Sequence, residues 1–315
     1  INLIKKIKKC KTKQQKQATQ KNLSSYPSII TIYRGEGNLS TPWNQSFSWT
    51  TNINKAYFFA SWRSSENSRI ITATIKKENV IEFVTERNEF EIIADPDNVT
   101  YLNTQLCYDF EWFVRIITSG FSGYNEKFNL EKFSAKSIMA SIEKIYALNN
   151  TNTYHDLNHA YRVTLFASFL YKIDDIASTM AAGTKVKEIV LNYYDFLITP
   201  AEWQDVGRTN DDIDFNHGLQ SYKHYIKRTG KTNDILKFLI KYHCRDDNVA
   251  KKEWEKKFQS HPDKKIIWHI FCILKDADAL DRLRFGFSSL DINYFRLENS
   301  KFLIPAAAKL QSLKI

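Results

Sequence analysis

The feature that most constrains the fold is a change in hydrophobic period along the chain. Between Ile29 and Pro96, β-branched and aromatic residues come in short runs bounded by Gly, Pro or charged residues. From His155 to the C-terminus, apolar residues recur at the i, i+3, i+4, i+7 spacing of amphipathic helices. Because these two periods indicate strands and helices respectively, the sequence predicts an α+β protein with its strands and helices segregated.

Three segments follow from this change. Residues 1–25 are predicted to be a basic leader or linker, residues 26–125 a small strand-rich domain, and residues 126–315 an all-helical domain. The length of 315 residues is sufficient for two domains or one large one, and the content of 43% hydrophobic and 25% charged residues is typical of a soluble globular protein. The four cysteines are scattered without a C-x-x-C pair, which favours a reducing, cytoplasmic location over a zinc cluster or a disulfide framework.

The net charge of +10 is concentrated at the N-terminus. Residues 1–21 contain eight lysines and no acidic residue, so the remaining chain carries only about +2. This distribution argues against a basic nucleic-acid platform, and no specific nucleic-acid partner is expected. The Lys-rich leader is interpreted as a solvated linker, and its charge also permits weak contact with an anionic membrane or with RNA.

Five polar residues of the strand-rich segment are spaced like the parts of one site. Arg34 ends the predicted strand "SIITIYRG", where an arginine can pair with a phosphate. Ser48 and Thr50, in "SWT", are two positions apart on an extended segment and share a face. Glu89 and Glu91 are predicted to lie at i and i+2 on the strand "EFEIIADP". One such carboxylate can stabilise an oxocarbenium ion, and the other can position or deprotonate a nucleophile.

The order Arg, Ser-x-Thr, Glu-x-Glu resembles the mono-ADP-ribosyltransferases of the Arg-Ser-Glu class over residues 30–97. The resemblance implies that NAD is the substrate, bound at Arg34 with Ser48 and Thr50 supporting the site. It also implies that Glu91 is catalytic and that Glu89 faces a protein acceptor. The helix "NKAYFFASWR" would lie behind this site. Arg34 and Glu91 are 57 positions apart, which is shorter than in many such transferases.

Histidines and aspartates are dispersed over the predicted helices of the C-terminal segment. His155 and His159 are at i and i+4, a spacing that places both on one helix face. Groups of this kind can converge in the core of a helical bundle, where metal or phosphate chemistry is built. The further candidates are Asp205, His217, His243 and Asp278. Asp281, with Arg282 and Arg284, is interpreted as a helix-surface ion network of little energetic weight.

The order of these residues resembles the HD-domain phosphohydrolases over residues 150–290. The resemblance maps His159, Asp205 and Asp278 onto metal-ligand positions. The sequence departs from the family at Gln204, because an amide cannot supply the imidazole that the family places before the aspartate. A tightly bound divalent metal is therefore not expected, and metal-free chemistry on a phosphodiester is predicted instead. The candidate catalytic residues are His155, His159, Asp205, His217 and His243.

A transferase joined to a helical phosphodiesterase is similar to the SidE-type effectors of intracellular bacteria, with the domain order reversed. In that family one domain ADP-ribosylates ubiquitin and the other cleaves the pyrophosphate. The resemblance therefore implies a protein acceptor, with host ubiquitin as the candidate, and secretion into a host cytosol. Two alternatives stay open. In the first, the helical domain is catalytically inactive and binds a nucleotide or a partner protein. In the second, the helical domain is an HD phosphohydrolase and the N-terminal domain only recruits its substrate.

Overall fold

The computed structural model describes residues 11–62, 67–85, 89–118, 135–146, 154–182 and 184–312. The chain divides into two compact units: unit 1 comprises residues 1–110 and 302–314, and unit 2 comprises residues 111–301 and 315. The described residues form a mixed α+β structure, with a six-stranded sheet and many helices, as the hydrophobic periods predict.

All described strands belong to unit 1 and form one sheet in which every pairing is antiparallel. The strands are β1 (Ile29–Glu36), β2 (Ser48–Thr50), β3 (Arg69–Lys76), β4 (Val80–Val84), β5 (Glu91–Ala94) and β6 (Val99–Leu106). Their order in the sheet is β4-β5-β2-β1-β3-β6. The strands β5, β2 and β1, which carry the predicted site residues Glu91, Ser48 and Arg34, are therefore neighbours.

The α-helices account for most of the remaining structure. In chain order they are α1 (Lys13–Asn22), α2 (Ile53–Trp62), α3 (Phe110–Thr118), α4 (Ala135–Tyr146), α5 (Leu157–Ala182), α6 (Thr184–Trp203), α7 (His217–Thr229), α8 (Asp234–Tyr242), α9 (Asp247–Lys257), α10 (Lys264–Asp281) and α11 (Ile304–Ser312). Of these helices, none combines the length and apolar composition that crossing a lipid bilayer requires.

The predicted leader contributes to unit 1. A capping box of Thr12 and Gln15 starts α1, and Leu23, directly after the helix, is buried in the sheet core with residues such as Ile32 and Ile92. A terminal segment that buries a leucine in a core is held by that contact. The helix itself is mostly exposed, and the burial of Leu23 directly after it is a contact that the charge pattern of the segment did not reveal.

The glycine after Arg34 is explained by the close packing of α2 on β1. A Cβ atom at Gly35 would lie 1.8 Å from the carbonyl oxygen of Ala56 and 2.4 Å from the amide nitrogen of Ala60. Both alanines are fully buried on the face of α2 that meets the strand. The Gly and the Ala-x-x-x-Ala spacing together let helix and strand backbones approach, which fixes the wall behind Arg34.

Three features of the strand-rich segment differ from the sequence prediction. Strand β5 begins at Glu91 rather than Glu89, and Phe90 between them has a φ of 49°. Strand β6 was not predicted, because its side chains are mostly exposed and show no apolar alternation. The terminal helix α11 belongs to unit 1, where it packs against α2, although the predicted helical domain extended to residue 315.

All regular secondary structure in the described part of unit 2 is helical, and the helices expected from the apolar spacing are present. Helix α5 packs against both α6 and α10, and α7 packs against α8. The core that these helices enclose is not purely apolar: several ionisable side chains lie inside it, and their positions define the second site. His155 precedes α5, which begins at Leu157, so the predicted placement of His155 and His159 on one helix face is wrong.

Candidate active sites

The cavity of unit 1 is formed where three adjacent strands meet. Tyr33 of β1 is paired with Thr50 of β2, and Thr50 is paired in turn with Glu91 of β5. This register brings together side chains that are far apart in sequence. The cavity has a volume of about 240 Å³, a little below the about 300–1,000 Å³ typical of small-molecule sites. All five predicted residues line it, namely Arg34, Ser48, Thr50, Glu89 and Glu91.

The carboxylate of Glu91 is held by Ser48. The hydroxyl of Ser48 donates a hydrogen bond of 2.5 Å to Oε1 of Glu91. Bonds from a hydroxyl to a carboxylate are short and strong, so this contact restricts the rotation of the glutamate side chain. The geometry is compatible with the predicted supporting role of Ser48, and it leaves Oε2 of Glu91 as the oxygen that the serine does not bind.

Arg34 is fixed at the cavity wall by three acceptors. Its Nε donates to Oε1 of Glu36 at 3.0 Å, and its terminal nitrogens donate to the carbonyl oxygens of Ser48 and Thr41, each at 2.8 Å. Glu36 is completely buried, and its second oxygen accepts hydrogen bonds from Arg69. The guanidinium is thus held in one orientation by these hydrogen bonds.

Thr50 acts on the backbone that carries Glu89. Its hydroxyl donates a 2.7 Å hydrogen bond to the carbonyl oxygen of Glu89 and accepts one from the amide of Asn52. In the described structure Thr50 therefore positions the segment before β5, in addition to lining the cavity. The two glutamates lie on either side of a residue in the left-handed region, so the regular i, i+2 strand geometry predicted for them is wrong. They nonetheless reach the same cavity.

The site of unit 2 is centred on a buried imidazole. His159, near the start of α5, has no exposed surface. Its Nδ1 lies 2.7 Å from Oδ2 of Asp281, and its Nε2 lies 2.9 Å from Oδ2 of Asp205. Asp278, which is more exposed, reaches Nε2 only at 3.5 Å. Carboxylate oxygens can only accept when ionised, so a ring between two of them donates from both nitrogens and is an imidazolium.

Asp205, which contacts His159 through one oxygen, contacts two further histidines through the other. Its Oδ1 lies 3.0 Å from Nε2 of His217 and 3.5 Å from Nε2 of His243. The two Nε2 atoms are 2.9 Å apart. Three of the predicted histidines, from three separate stretches of chain, thus meet around the carboxylate of Asp205, which is 4% exposed.

The charges of this cluster shift the pKa of several members. Burial lowers the pKa of His159, but the bonds to Asp205 and Asp281 outweigh it and raise the value to about 9. Burial likewise opposes protonation of His217, while Asp205 and Cys244 raise its pKa to about 10. Against the effect of burial, the neighbouring imidazoles hold the pKa of Asp205 well below its usual range. These pKa shifts favour the protonated forms of His159 and His217 beside an ionised Asp205.

His155 lies at the edge of the cluster. Its ring centroid is 5.0 Å from that of His159, its Nδ1 is 3.2 Å from Asp211, and its Nε2 is 3.4 Å from Arg284. Burial, together with the positive charges of His159 and Arg208, lowers its pKa. His155 is thus a neutral imidazole at neutral pH, partly open to solvent, beside a cationic ring.

Asp281 was misjudged from the sequence. It is fully buried, not part of a surface network, and it binds Arg162 and Arg284 as well as His159. Its position on α10 follows the helical period of buried Ile270, Leu274 and Ala277. That period was the signal that could have placed it in the core.

Gln204 occupies the position where the HD resemblance expects a histidine. The side chain is completely buried, and neither its amide nitrogen nor its oxygen has a hydrogen-bond partner among the described residues. An amide is not a substitute for the missing imidazole, so the family's ligand set of His159, Asp205 and Asp278 is incomplete here. The expectation that this set holds no tightly bound metal stays a prediction.

Comparisons with protein-family models, with curated proteins and with solved structures found no match for this chain. Both family resemblances therefore stay predictions. What can be stated plainly is the geometry: an arginine, a serine and two glutamates around one cavity of unit 1, and a buried His-Asp cluster in unit 2.

Proposed function

We propose that unit 1 transfers ADP-ribose from NAD to a protein side chain. The observation that supports this proposal is the hydrogen bond from Ser48 to Glu91 in a cavity that Arg34 also lines. A carboxylate whose orientation is fixed beside a pre-oriented cation suits a substrate with a cleavable ribose bond and a pyrophosphate.

Each residue that lines the cavity is assigned a separate role in the proposed reaction. The bond that breaks joins the ribose to the nicotinamide nitrogen, and its electron pair leaves with nicotinamide. Glu91 stabilises the positive charge that develops on the ribose, and Arg34 supplies positive charge for the phosphates. The acceptor side chain contributes the electron pair of the new bond, and its proton passes to Glu89. Ser48 and Thr50 keep the two glutamates in place through the hydrogen bonds described above.

Glu89→Gln is expected to separate the two half-reactions. Hydrolysis of NAD to free nicotinamide should stay within about threefold of wild type, whereas transfer to a protein should fall about 10²-fold or more, because only transfer needs a base at the acceptor. Labelled NAD incubated with a cell lysate, with the labelled bands identified by mass, measures transfer and names the acceptor. Host ubiquitin is the first candidate. Equal loss of both activities would contradict the assigned role of Glu89.

A second function is proposed for unit 2: cleavage of a phosphodiester or pyrophosphate bond, such as that in an ADP-ribosyl product. It is supported by the convergence of His159, Asp205, His217 and His243 around one point. Two arginines, Arg208 and Arg284, lie next to this group and offer positive charge to a phosphate. His155, neutral and partly exposed, is the proposed acid–base group.

His155→Ala is expected to lower phosphodiester cleavage by about 10²-fold or more, since a positioned imidazole contributes that much to proton transfer. The matched control is His224→Ala on α7, a histidine outside the cluster. Release of phosphorylated product from an ADP-ribosylated protein measures the activity. If the wild type binds the nucleotide saturably but never turns it over, unit 2 is instead the binding module that the sequence left open.

A further inference from the structure

Unit 1 contains a second cavity, which neither proposed activity uses. It is lined by residues within the ranges 16–24, 28–29 and 76–81, and we call it the leader cavity. Its volume is about 860 Å³, against about 240 Å³ for the cavity that Glu91 lines. A volume of this size is within the about 300–1,000 Å³ typical of small-molecule sites.

The sequence of α1 explains why this space is not filled by the protein itself. Positions 16, 19, 20 and 23 follow the i, i+3, i+4, i+7 spacing of one helix face, and they hold Lys, Thr, Gln and Leu. Of these four residues, Thr19 and Leu23 are buried, whereas Lys16 and Gln20 are exposed. The face therefore lacks the large apolar residues that close packing requires, and a cavity remains beside Thr19 and Leu23.

Part of the lining of the leader cavity is aliphatic. Leu23 and Ile81 are buried, Val80 is half-buried, and Ile29 is 58% exposed. A ligand that covers Ile29 with an apolar group removes this surface from water, which favours binding. The described lining includes no aromatic side chain, so a nucleobase or another flat ring finds no stacking partner here.

The same lining carries an excess of positive charge. Lys16, Lys76 and Lys77 contribute three ammonium groups, and the exposed Glu78 contributes the one carboxylate of the described lining. Three positive charges against one negative charge leave a net charge of +2 around the cavity. An anion is therefore the ligand whose charge complements this lining.

The ammonium groups are not compensated by carboxylates within the described structure. Nζ of Lys77 donates to the carbonyl oxygens of Tyr26 at 2.7 Å and of Ser24 at 3.4 Å, and both of these acceptors are uncharged. Lys16 and Lys76 are exposed and form no ion pair or side-chain hydrogen bond with any described residue. Both side chains are thus available to an anionic group at the cavity.

We infer that unit 1 binds one single-chain amphiphilic anion, of the fatty-acid class, in the leader cavity. Its anionic head pairs with Lys16 and Lys76, and its aliphatic chain lies against Leu23 and Ile29. A small polar anion leaves the aliphatic lining uncovered, and a neutral apolar ligand leaves the lysines without a counter-charge, so the two properties are needed together. The site depends on neither proposed activity, since binding is measured directly.

The test is equilibrium binding of radiolabelled dodecanoate, kept below its micelle concentration, to the full chain. About one molecule per chain is expected, and dodecyltrimethylammonium, with the same chain and a positive head, should not compete. Lys16→Glu should weaken binding at least about tenfold, because it removes a charged partner of the head group. The matched control is Lys13→Glu, the same change at an exposed position of α1 outside the leader cavity. It should stay within about threefold of wild type in about 0.15 M salt, which screens distant charges.

A second pair of variants tests the cavity by its volume. Gln20→Trp places an indole in the leader cavity and should weaken dodecanoate at least about tenfold, because the ligand and the indole compete for one space. Gln17→Trp, at an exposed position of α1 outside the cavity, should stay within about threefold of wild type. Dodecanoate should also raise the melting temperature of the wild type and of both controls, which shows that they are folded.

Three results would overturn the assignment of this ligand. They are the absence of saturable dodecanoate binding by the wild type, an equal loss of binding in Gln17→Trp and Gln20→Trp, and sedimentation with phosphatidylglycerol vesicles without binding of monomeric dodecanoate. The last result would show that the lysines contact a membrane surface and that the cavity holds no chain.

Discussion

Glu91→Gln is expected to reduce the release of nicotinamide from NAD by about 10²–10³-fold while unit 1 stays folded. The neutral amide still fills the space beside Ser48, but it no longer stabilises the charge that develops on the ribose, a loss on the order of 3–4 kcal/mol. The rate of nicotinamide release under single-turnover conditions measures the effect on the bond-breaking step directly.

The matched control for this substitution is Glu78→Gln, which makes the same chemical change at an exposed position of unit 1 outside the cavity. It should leave the rate unchanged. Wild-type release of nicotinamide by Glu91→Gln, or an equal loss in the control, would refute the transferase assignment of this cavity.

Asp281→Asn is expected to destabilise unit 2 by about 3–5 kcal/mol. The substitution removes a negative charge that three cationic groups share, at 2.7 Å from His159, 2.5 Å from Arg162 and 2.9 Å from Arg284. Removing one partner of a buried ion network leaves the others uncompensated, and that penalty exceeds what the intact network contributes. Amide hydrogen exchange, read separately on α10 and on the strands of unit 1, measures the change where it occurs.

The pH dependence offers an independent check. Burial raises the pKa of Asp281, but His159 and Arg162 outweigh it and lower the value to about 2 from a usual 3.8. A lowered carboxyl pKa stabilises the folded state fully above about pH 4, and the contribution is lost as the pH falls through about 2. Asp281→Asn should lack this acid-dependent step. Asp278→Asn, at a more exposed carboxylate on the same helix, should alter stability by less than about 0.5 kcal/mol.

Local sequence patterns predicted the elements well where one face of an element is buried. Strands β1, β3 and β4 and helices α2, α5, α8 and α10 appear where the apolar period placed them. The pattern did not reveal β6, whose side chains are mostly exposed, or the contribution of Leu23 to the core. In both cases the decisive contact is with chain that is distant in sequence, and a local period carries no information about such contacts.

The sequence by itself determined which residues were candidates: the Arg, Ser and Glu spacing in unit 1 and the dispersed histidines and aspartates in unit 2. The tertiary structure alone decided which of them meet. His159 contacts Asp281 across 122 positions of sequence, and Ser48 contacts Glu91 across 43. A hydrophobic period fixes which face of a helix or strand is buried, but only the packing of faces against each other determines distances between side chains. For that reason the sequence placed Asp281 at the surface, whereas the packing of α10 on α5 buries it against His159.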